Sequence, residues 1–156
     1  MTIDERRLAT AMGSVGPAQR AIAWAERIPL SVPLLLARIG VGAVFFRSGL
    51  TKLDSWPTTL MLFQEEYRVP LLPTAFAAQA ATLFELACPV LLVLGFATRL
   101  AALPLLAMTI VIQLFVYPTS WVDHTMWAAL LILLVARGPG AISIDAAIRF
   151  FFLRCT

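Results

Sequence analysis

Several residues that can carry charge or exchange protons stand inside long apolar stretches of the sequence. Glu85 lies near the middle of one, and Pro89 cannot donate the hydrogen bond that the Glu85 carbonyl would otherwise accept. An ionisable group costs about 2.5–3.5 kcal/mol at the centre of a membrane span, and by default it marks a functional or bundle-interior position. Glu85 is therefore predicted to carry a proton, to contact a ligand, to form a buried ion pair or to remain a neutral buried carboxyl.

Two arginines in the preceding apolar stretch, Arg38 and Arg47, are the candidate partners of Glu85. They are nine residues apart, which places them on opposite sides of a helix, so both cannot point directly at one partner. We predict a buried ion pair between Arg38 and Glu85, because Arg38 is expected at the more similar depth. Arg47 either contacts a ligand or snorkels to the outer surface. Lys52, at the end of the span, is predicted to be either an interfacial anchor or a site residue.

A second group of polar residues lies toward the outer ends of the third and fourth apolar segments. Thr109, Gln113 and Tyr117 recur every four residues, and such a stripe either joins helices or contacts a ligand. The single histidine, His124, can accept a proton, donate a hydrogen bond to a carbonyl or serve a structural role at the interface. Without partners of suitable spacing it predicts no metal site.

The expected depths of five of these residues converge between the middle of the membrane and its outer face. An apolar cleft with a few polar groups suits an amphipathic molecule bearing carbonyls or hydroxyls, such as a quinone head group. The sequence leaves the catalytic residues, if the protein has any, unassigned, and no covalently bound cofactor is expected. Trp121 and Trp127 are predicted to form either an aromatic belt or a stacking platform. The candidate ligand-binding residues are Arg47, Glu85, Gln113, Tyr117 and His124.

The composition indicates a membrane protein. Of the 156 residues, 60% are hydrophobic and 13% charged, whereas an ordinary soluble domain has about 25% charged residues. A span needs about 20 apolar residues, so four spans leave no room for a large extramembrane catalytic domain. The basic residues are dispersed and the net charge is only +3, so nucleic acid is not an expected partner. Cys88 and Cys155 stand far apart and predict neither a disulfide framework nor a zinc site.

The order of these segments predicts an all-α membrane protein. It is a four-transmembrane-helix bundle with short interfacial helices at the N-terminus, in the first outer loop (58–67) and at the C-terminus. Residues 1–30 form a cytoplasmic leader that is either amphipathic from 17 to 28 or a disordered tail, and residues 138–156 form a cytoplasmic interfacial tail. The transmembrane domain, 31–137, contains spans at about 31–51, 74–95, 100–117 and 121–137.

The distribution of basic residues near the span ends predicts the orientation. On one side of the membrane, only Lys52 and Arg68 flank the spans. Both termini are therefore expected in the cytoplasm and the 52–73 segment outside, in the plasma membrane if the source is bacterial. The other side carries Arg6, Arg7, Arg20, Arg27, Arg99, Arg137, Arg149 and Arg154.

Short motifs occur at characteristic places along residues 33–148. They are Leu36-Ala37-Arg38-Ile39-Gly40, Gly49-Leu50-Thr51-Lys52-Leu53, Glu85, Leu94-Gly95-Phe96-Ala97-Thr98-Arg99-Leu100 and Gly138-Pro139-Gly140-Ala141-Ile142-Ser143-Ile144-Asp145. In this order and spacing, the chain resembles the DoxX family of small four-span membrane proteins. Its region from Tyr117 to Ala129 resembles a branch found alongside systems that make metal-binding peptides.

The resemblance implies a role rather than a reaction. Some members are similar to the membrane subunit of a thiosulfate:quinone oxidoreductase, and others associate with oxidative-stress and thiol enzymes. The expected function is an accessory membrane subunit that binds a quinone and a redox protein partner, with a second copy of the chain as another candidate partner. The alternatives are a proton-coupled transporter or exporter, a component of a metal-binding-peptide system, and a stand-alone quinone oxidoreductase. The implied signature residues are Arg38, Lys52, Glu85, Arg99 and Asp145.

Overall fold

The computed structural model describes residues 16–67 and 72–154, the last two by their backbone alone, and these residues contain helices and no strands. The helices are α1 (Pro17–Ala25), α2 (Ser31–Asp54), α3 (Trp56–Leu62), α4 (Thr74–Leu94), α5 (Thr98–Val111), α6 (Trp121–Arg137) and α7 (Ile144–Arg154). Helix α3 continues as a π-helical turn, Phe63–Tyr67, and α5 as another, Ile112–Val116. The predicted leader residues 1–15, Arg68 and Cys155 lie outside the described residues.

Helix α1 belongs to a compact unit of its own that ends at Leu30. Pro17 occupies a first-turn position where no backbone donor is needed, and the Gly16 N–H donates to Gln19 Oε1 at 3.2 Å. The helix is shorter than the predicted amphipathic segment, 17–28, because the backbone N–H groups of Arg27 and Ile28 bond three residues back and tighten the chain into a turn. All of its side chains are exposed.

Three helices in the described part of the chain are long and apolar enough to cross a membrane. These are α2, α4 and α5 together with its π-helical turn. Helix α6 has 17 residues, and at 1.5 Å per residue it is about 25 Å long. This is slightly less than the hydrocarbon core of a bilayer, about 30 Å.

From Ser31 onward, α2, α4, α5 and α6 pack in a ring in which each helix contacts two neighbours. The exterior of the ring is also apolar, as a lipid-facing surface requires, with exposed side chains such as Leu36, Leu83, Leu100 and Ile132. The core that the ring encloses includes Leu34, Val41, Phe45, Leu92, Ala102, Leu105, Leu131 and Leu134.

A glycine allows α2 to approach α4 closely at the depth of Glu85. A Cβ added at Gly49 would lie 2.9 Å from the Leu86 side chain and 3.1 Å from Glu85 Cβ. Small residues at helix interfaces bring backbones together in this way. The two antiparallel helices are therefore held in a register that places Gly49 opposite Glu85.

The turn between α4 and α5 depends on a left-handed glycine. Gly95 has φ +68°, and the N–H groups of Gly95 and Phe96 donate to the carbonyls of Leu92 and Leu91, both at 3.0 Å. This is the Schellman arrangement that ends a helix. Asp145 then joins α7 to the turn, because its carboxylate accepts from the N–H groups of Ala97 at 2.9 Å and Thr98 at 3.2 Å.

The helix limits differ slightly from the predicted spans. Helix α2 continues to Asp54, three residues beyond the predicted end, and α5 begins at Thr98, two residues before the predicted start. The Asp145 carboxylate explains the early start of α5, since it satisfies first-turn donors from a distant part of the sequence. Helix α6 has the predicted limits, and the helical segment between α2 and α4 begins at Trp56 rather than at residue 58.

Candidate functional site

A cavity of about 390 Å³ lies among α2, α4, α5 and α6, with the π-helical turn after α3 at one side. Its walls are mainly apolar and include Phe45, Phe84, Met108, Val111 and Trp127. The polar residues of its lining are Ser48, Lys52, Tyr67, Glu85, Tyr117 and His124. An apolar pocket of this size with a few polar groups is typical of a small-molecule site.

Glu85 and Lys52 form an ion pair at the wall of the cavity. The Lys52 ammonium lies 2.7 Å from Oε2 of Glu85 and 2.9 Å from its Oε1. Ser48, one turn before Lys52, donates to the same Oε1 at 3.2 Å and accepts from Lys52 Nζ at 3.0 Å. The Glu85 side chain is 3% exposed and that of Lys52 14%. The arrangement places a neutralised pair of charges beside an apolar space.

The predicted ion pair between Arg38 and Glu85 is wrong. Arg38 is fully buried and donates from Nη1 to the carbonyls of Leu92 and Val93, both at 3.4 Å, and from Nη2 to the carbonyl of Ile142. It thus connects the last turn of α4 to the chain before α7. The carbonyls of a last helical turn lack partners within the helix and carry partial negative charge, so a buried guanidinium is stabilised there.

The physical reason for this error is the register of α2 against α4. Arg38 and Gly49 are eleven residues apart, which is about 16 Å along a helix. Since Gly49 faces Glu85, Arg38 falls at the other end of α4, whereas the long side chain of Lys52 reaches inward from the end of α2. The helical spacing of Arg38, Phe45, Gly49 and Lys52 puts them on one face of α2, but spacing alone does not give the depth of each residue relative to α4.

His124 is buried at the start of α6 and bonds to the π-helical turn after α5. Its Nδ1 lies 2.7 Å from Gln113 Oε1, and Gln113 Nε2 donates to the Pro118 carbonyl at 2.9 Å. Because the Gln113 amide presents its oxygen to the imidazole, Nδ1 carries the hydrogen and donates. In the neutral ring the remaining nitrogen, Nε2, is then a hydrogen-bond acceptor. The indole of Trp127 packs 5.1 Å from the imidazole, centre to centre.

Two tyrosines and a carboxylate lie where the two π-helical turns meet at the cavity. The Tyr117 hydroxyl donates to Glu66 Oε1 at 2.6 Å, and the rings of Tyr67 and Tyr117 meet edge to face at 6.0 Å. Burial in these surroundings raises the pKa of Tyr67 above its ordinary value. These contacts join the π-helical turn after α3 to the end of the turn after α5.

The structure brings together some of the predicted ligand-binding residues and not others. Glu85, Tyr117 and His124 line the cavity, and Gln113 bonds to His124 from just behind it. Arg47 is exposed on α2 and is not part of the lining, as expected of an arginine that snorkels.

Most of the lining was not predicted to bind a ligand, and the unpredicted lining residues include Ser48, Lys52, Tyr67 and Trp127. Ser48 and Lys52 are four residues apart, a spacing that would have placed them on one helix face. Trp127 packs edge to face on Phe45 with ring centres 5.7 Å apart, and the aromatic-belt assignment of this residue is therefore wrong.

The remaining residues of the implied signature lie at the opposite end of the bundle. Asp145 holds the start of α5, and Arg99 Nη2 donates to the Ala136 carbonyl at 3.3 Å. Cys88 is buried and its thiol is free. Among the described residues, no three His, Cys, Asp or Glu side chains come together as a metal site would require.

Comparison with known proteins places the chain in a family. The search of curated proteins and the search of solved structures return no match. The family model of DoxX matches residues 33–118, which is more than half of the chain and covers α2 to α5 with the Lys52–Glu85 pair and most of the cavity wall. The chain is an integral membrane protein that belongs to the DoxX family.

Proposed function

We propose that this DoxX-family protein binds a quinone-like amphipathic ligand in the cavity beside the Lys52–Glu85 pair and acts as an accessory membrane subunit of a redox or oxidative-stress system. The observation that carries the proposal is the apolar cavity of about 390 Å³ whose polar lining includes this pair and His124. We further propose that α6 is a fourth span and that both termini are cytoplasmic.

The proposed topology rests on packing and on charge. Helix α6 contributes Leu131 and Leu134 to the same core as the three longer helices, so it shares their depth. At about 25 Å it can cross a bilayer if it stands nearly upright or the bilayer thins locally. The excess of arginine at one end of the bundle favours a cytoplasmic location for that end, which leaves the cavity toward the outer face of an inner, or plasma, membrane.

The cavity suits a quinone head group in size and in chemistry. The apolar walls accommodate a ring and the start of an isoprenoid tail. Because Nδ1 of His124 donates to Gln113, a neutral imidazole has Nε2 available to accept from a quinol hydroxyl, and a protonated imidazole has it available to donate to a quinone carbonyl. When bound, a quinone supplies two-electron redox chemistry that the side chains lack.

The sequence has few residues that could hold a redox centre, and this supports an accessory role. The chain has one histidine, and its two cysteines are not close in sequence. Electrons must therefore reach a bound quinone from a partner that holds a redox centre. A redox protein docked at the membrane surface is the partner that we propose, and a second copy of the chain is the alternative.

Quinone binding can be measured with Trp127 as the reporter, since its indole lines the cavity. In a variant whose Trp24, Trp56 and Trp121 are phenylalanine, we expect decylubiquinone to quench the remaining fluorescence in a saturable manner. His124→Ala removes the polar contact in the cavity, and its Kd should rise about tenfold, the equivalent of about 1.4 kcal/mol or one hydrogen bond.

The matched control for this experiment is Arg47→Gln, which removes a charge from the same bundle but outside the lining. It should leave the Kd unchanged. His124→Ala loses the bond to Gln113 and should melt at a lower temperature than the parent, so its Kd is measured well below that melting temperature, where the helical circular dichroism shows it folded. Absence of saturable binding, or the same Kd in all three proteins, would exclude this site.

The Lys52–Glu85 pair supports a second candidate function, proton-coupled transport. A carboxylate and an amine at 2.7 Å beside a cavity can exchange a proton with a passing substrate. Proton flux in liposomes that is abolished in Glu85→Gln, with no saturable quinone binding, would favour transport over the accessory role.

A further inference from the structure

At the end of the bundle opposite the outer cavity, a groove of about 920 Å³ opens between the start of α5, the end of α6 and α7. Three arginines line it: Arg99 and Arg137 at the helix ends, and Arg149 on α7. All three are exposed, and they line the groove from different elements of the chain. Such a cluster attracts an anion.

No carboxylate in the described lining of the groove pairs with its three arginines. Among its described lining residues, Asp145 carries the one carboxylate, and both of its oxygens accept from the backbone N–H groups that begin α5. Arg99 makes a single bond, to the Ala136 carbonyl. Neither a hydrogen bond nor an ion pair holds Arg137 or Arg149 within the part of the chain that the structure describes. Most of the guanidinium donors are thus available to an external group.

The surroundings of the groove combine this charge with apolar surface. Leu100, on the membrane-spanning helix α5, is 70% exposed and lines the groove together with Phe150. The groove therefore lies where a spanning helix ends, which is the depth of lipid phosphates in a bilayer. A free anion would use the arginines alone, whereas a phospholipid would also cover the apolar side chains.

We propose that this groove binds the phosphate head group of an anionic membrane phospholipid, with Arg99, Arg137 and Arg149 around the phosphate and the acyl chains against Leu100. Guanidinium groups bind phosphate oxygens through paired hydrogen bonds, and basic pockets beside spanning helices hold anionic head groups. An anionic lipid adds net negative charge to an uncompensated positive groove. The choline group of a zwitterionic lipid would be repelled by the same arginines.

The test compares lipids on the purified full chain in detergent. Tetraoleoyl cardiolipin should raise the melting temperature, by about 5–10 °C at a hundredfold excess over its Kd. Dioleoyl phosphatidylcholine and inorganic phosphate at the same concentration should not. Arg137→Gln with Arg149→Gln should abolish most of the shift, and since neither arginine holds another residue, this variant should fold as the parent does.

The control is Arg20→Gln with Arg47→Gln, which removes the same charge outside the groove and should keep the full shift. Native mass spectrometry should also show phospholipid retained by the parent and lost from the groove variant. An equal shift in both double variants would overturn the site, and an equal shift with phosphatidylcholine would overturn the requirement for an anion. A full shift with inorganic phosphate would overturn the assignment to a lipid.

Discussion

Replacing Lys52 tests how the carboxylate inside the bundle is neutralised. The Lys52 ammonium lies 2.7 Å from a Glu85 side chain that is only 3% exposed. At an effective dielectric constant of about 20, two charges at that separation attract by about 6 kcal/mol, and removing one member of a buried pair costs about 3–5 kcal/mol because the other stays uncompensated. We expect Lys52→Met to lower the free energy of unfolding by about 3 kcal/mol, the low end of that range.

Glu85→Gln should destabilise the protein less than Lys52→Met does. It leaves the ammonium of Lys52, which is 14% exposed and can turn toward solvent at the end of α2. In a double-mutant cycle, the Lys52→Met and Glu85→Gln changes should therefore be coupled by about 2 kcal/mol. The free energies can be measured by titrating the purified protein in detergent micelles with dodecyl sulfate and following the helical circular dichroism.

A parallel cycle with Arg38→Gln and Glu85→Gln is the control. Arg38 donates to backbone carbonyls at the far end of α4, and separated sites are additive to within about 0.5 kcal/mol. Additivity between Lys52 and Glu85, with strong coupling between Arg38 and Glu85, would refute the assignment of the pair.

Two further predictions concern helix α2. Gly49→Ala should destabilise the protein by about 1–3 kcal/mol, since the new methyl group overlaps Leu86 and Glu85, whereas Gly40→Ala, which meets nothing within 4 Å, should not; equal effects would contradict the close approach of α2 and α4. Arg38→Lys should cost about 3 kcal/mol, because an ammonium cannot reproduce the guanidinium fork that serves three carbonyls. The same change at the exposed Arg47 should be nearly neutral, and equal losses in the two variants would argue against the buried role of Arg38.

Helices with strong apolar runs could be predicted from the sequence because each run has the length of a span. Helix α6 has the predicted limits, since Pro118 precedes it and Gly138 follows it. The π-helical turns could not be predicted. Their hydrogen bonds depend on packing, as with the Tyr117 N–H that reaches the Ile112 carbonyl at 2.9 Å.

Some residues of the candidate site could be predicted from their types, but the pairs that they form could not. His124 and Glu85 stood out as polar groups in apolar segments, and both line the cavity. Pairing depends on the relative height of two helices, and a single glycine contact, Gly49 against Leu86, sets that height. A single sequence does not reveal this contact, so it cannot decide whether Arg38 or Lys52 faces Glu85.

Photolabelling with an azido-quinone tests quinone binding in the cavity beside Lys52 and Glu85 most directly. The reagent is activated on the membrane-embedded protein, and the modified residues are located by peptide mass spectrometry. We expect label on the cavity walls, on α5 near Met108 and Val111 and on α6 near His124 and Trp127, and we expect excess decylubiquinone to prevent it. Label confined to lipid-facing residues such as Leu36, unaffected by the competitor, would contradict quinone binding in this cavity.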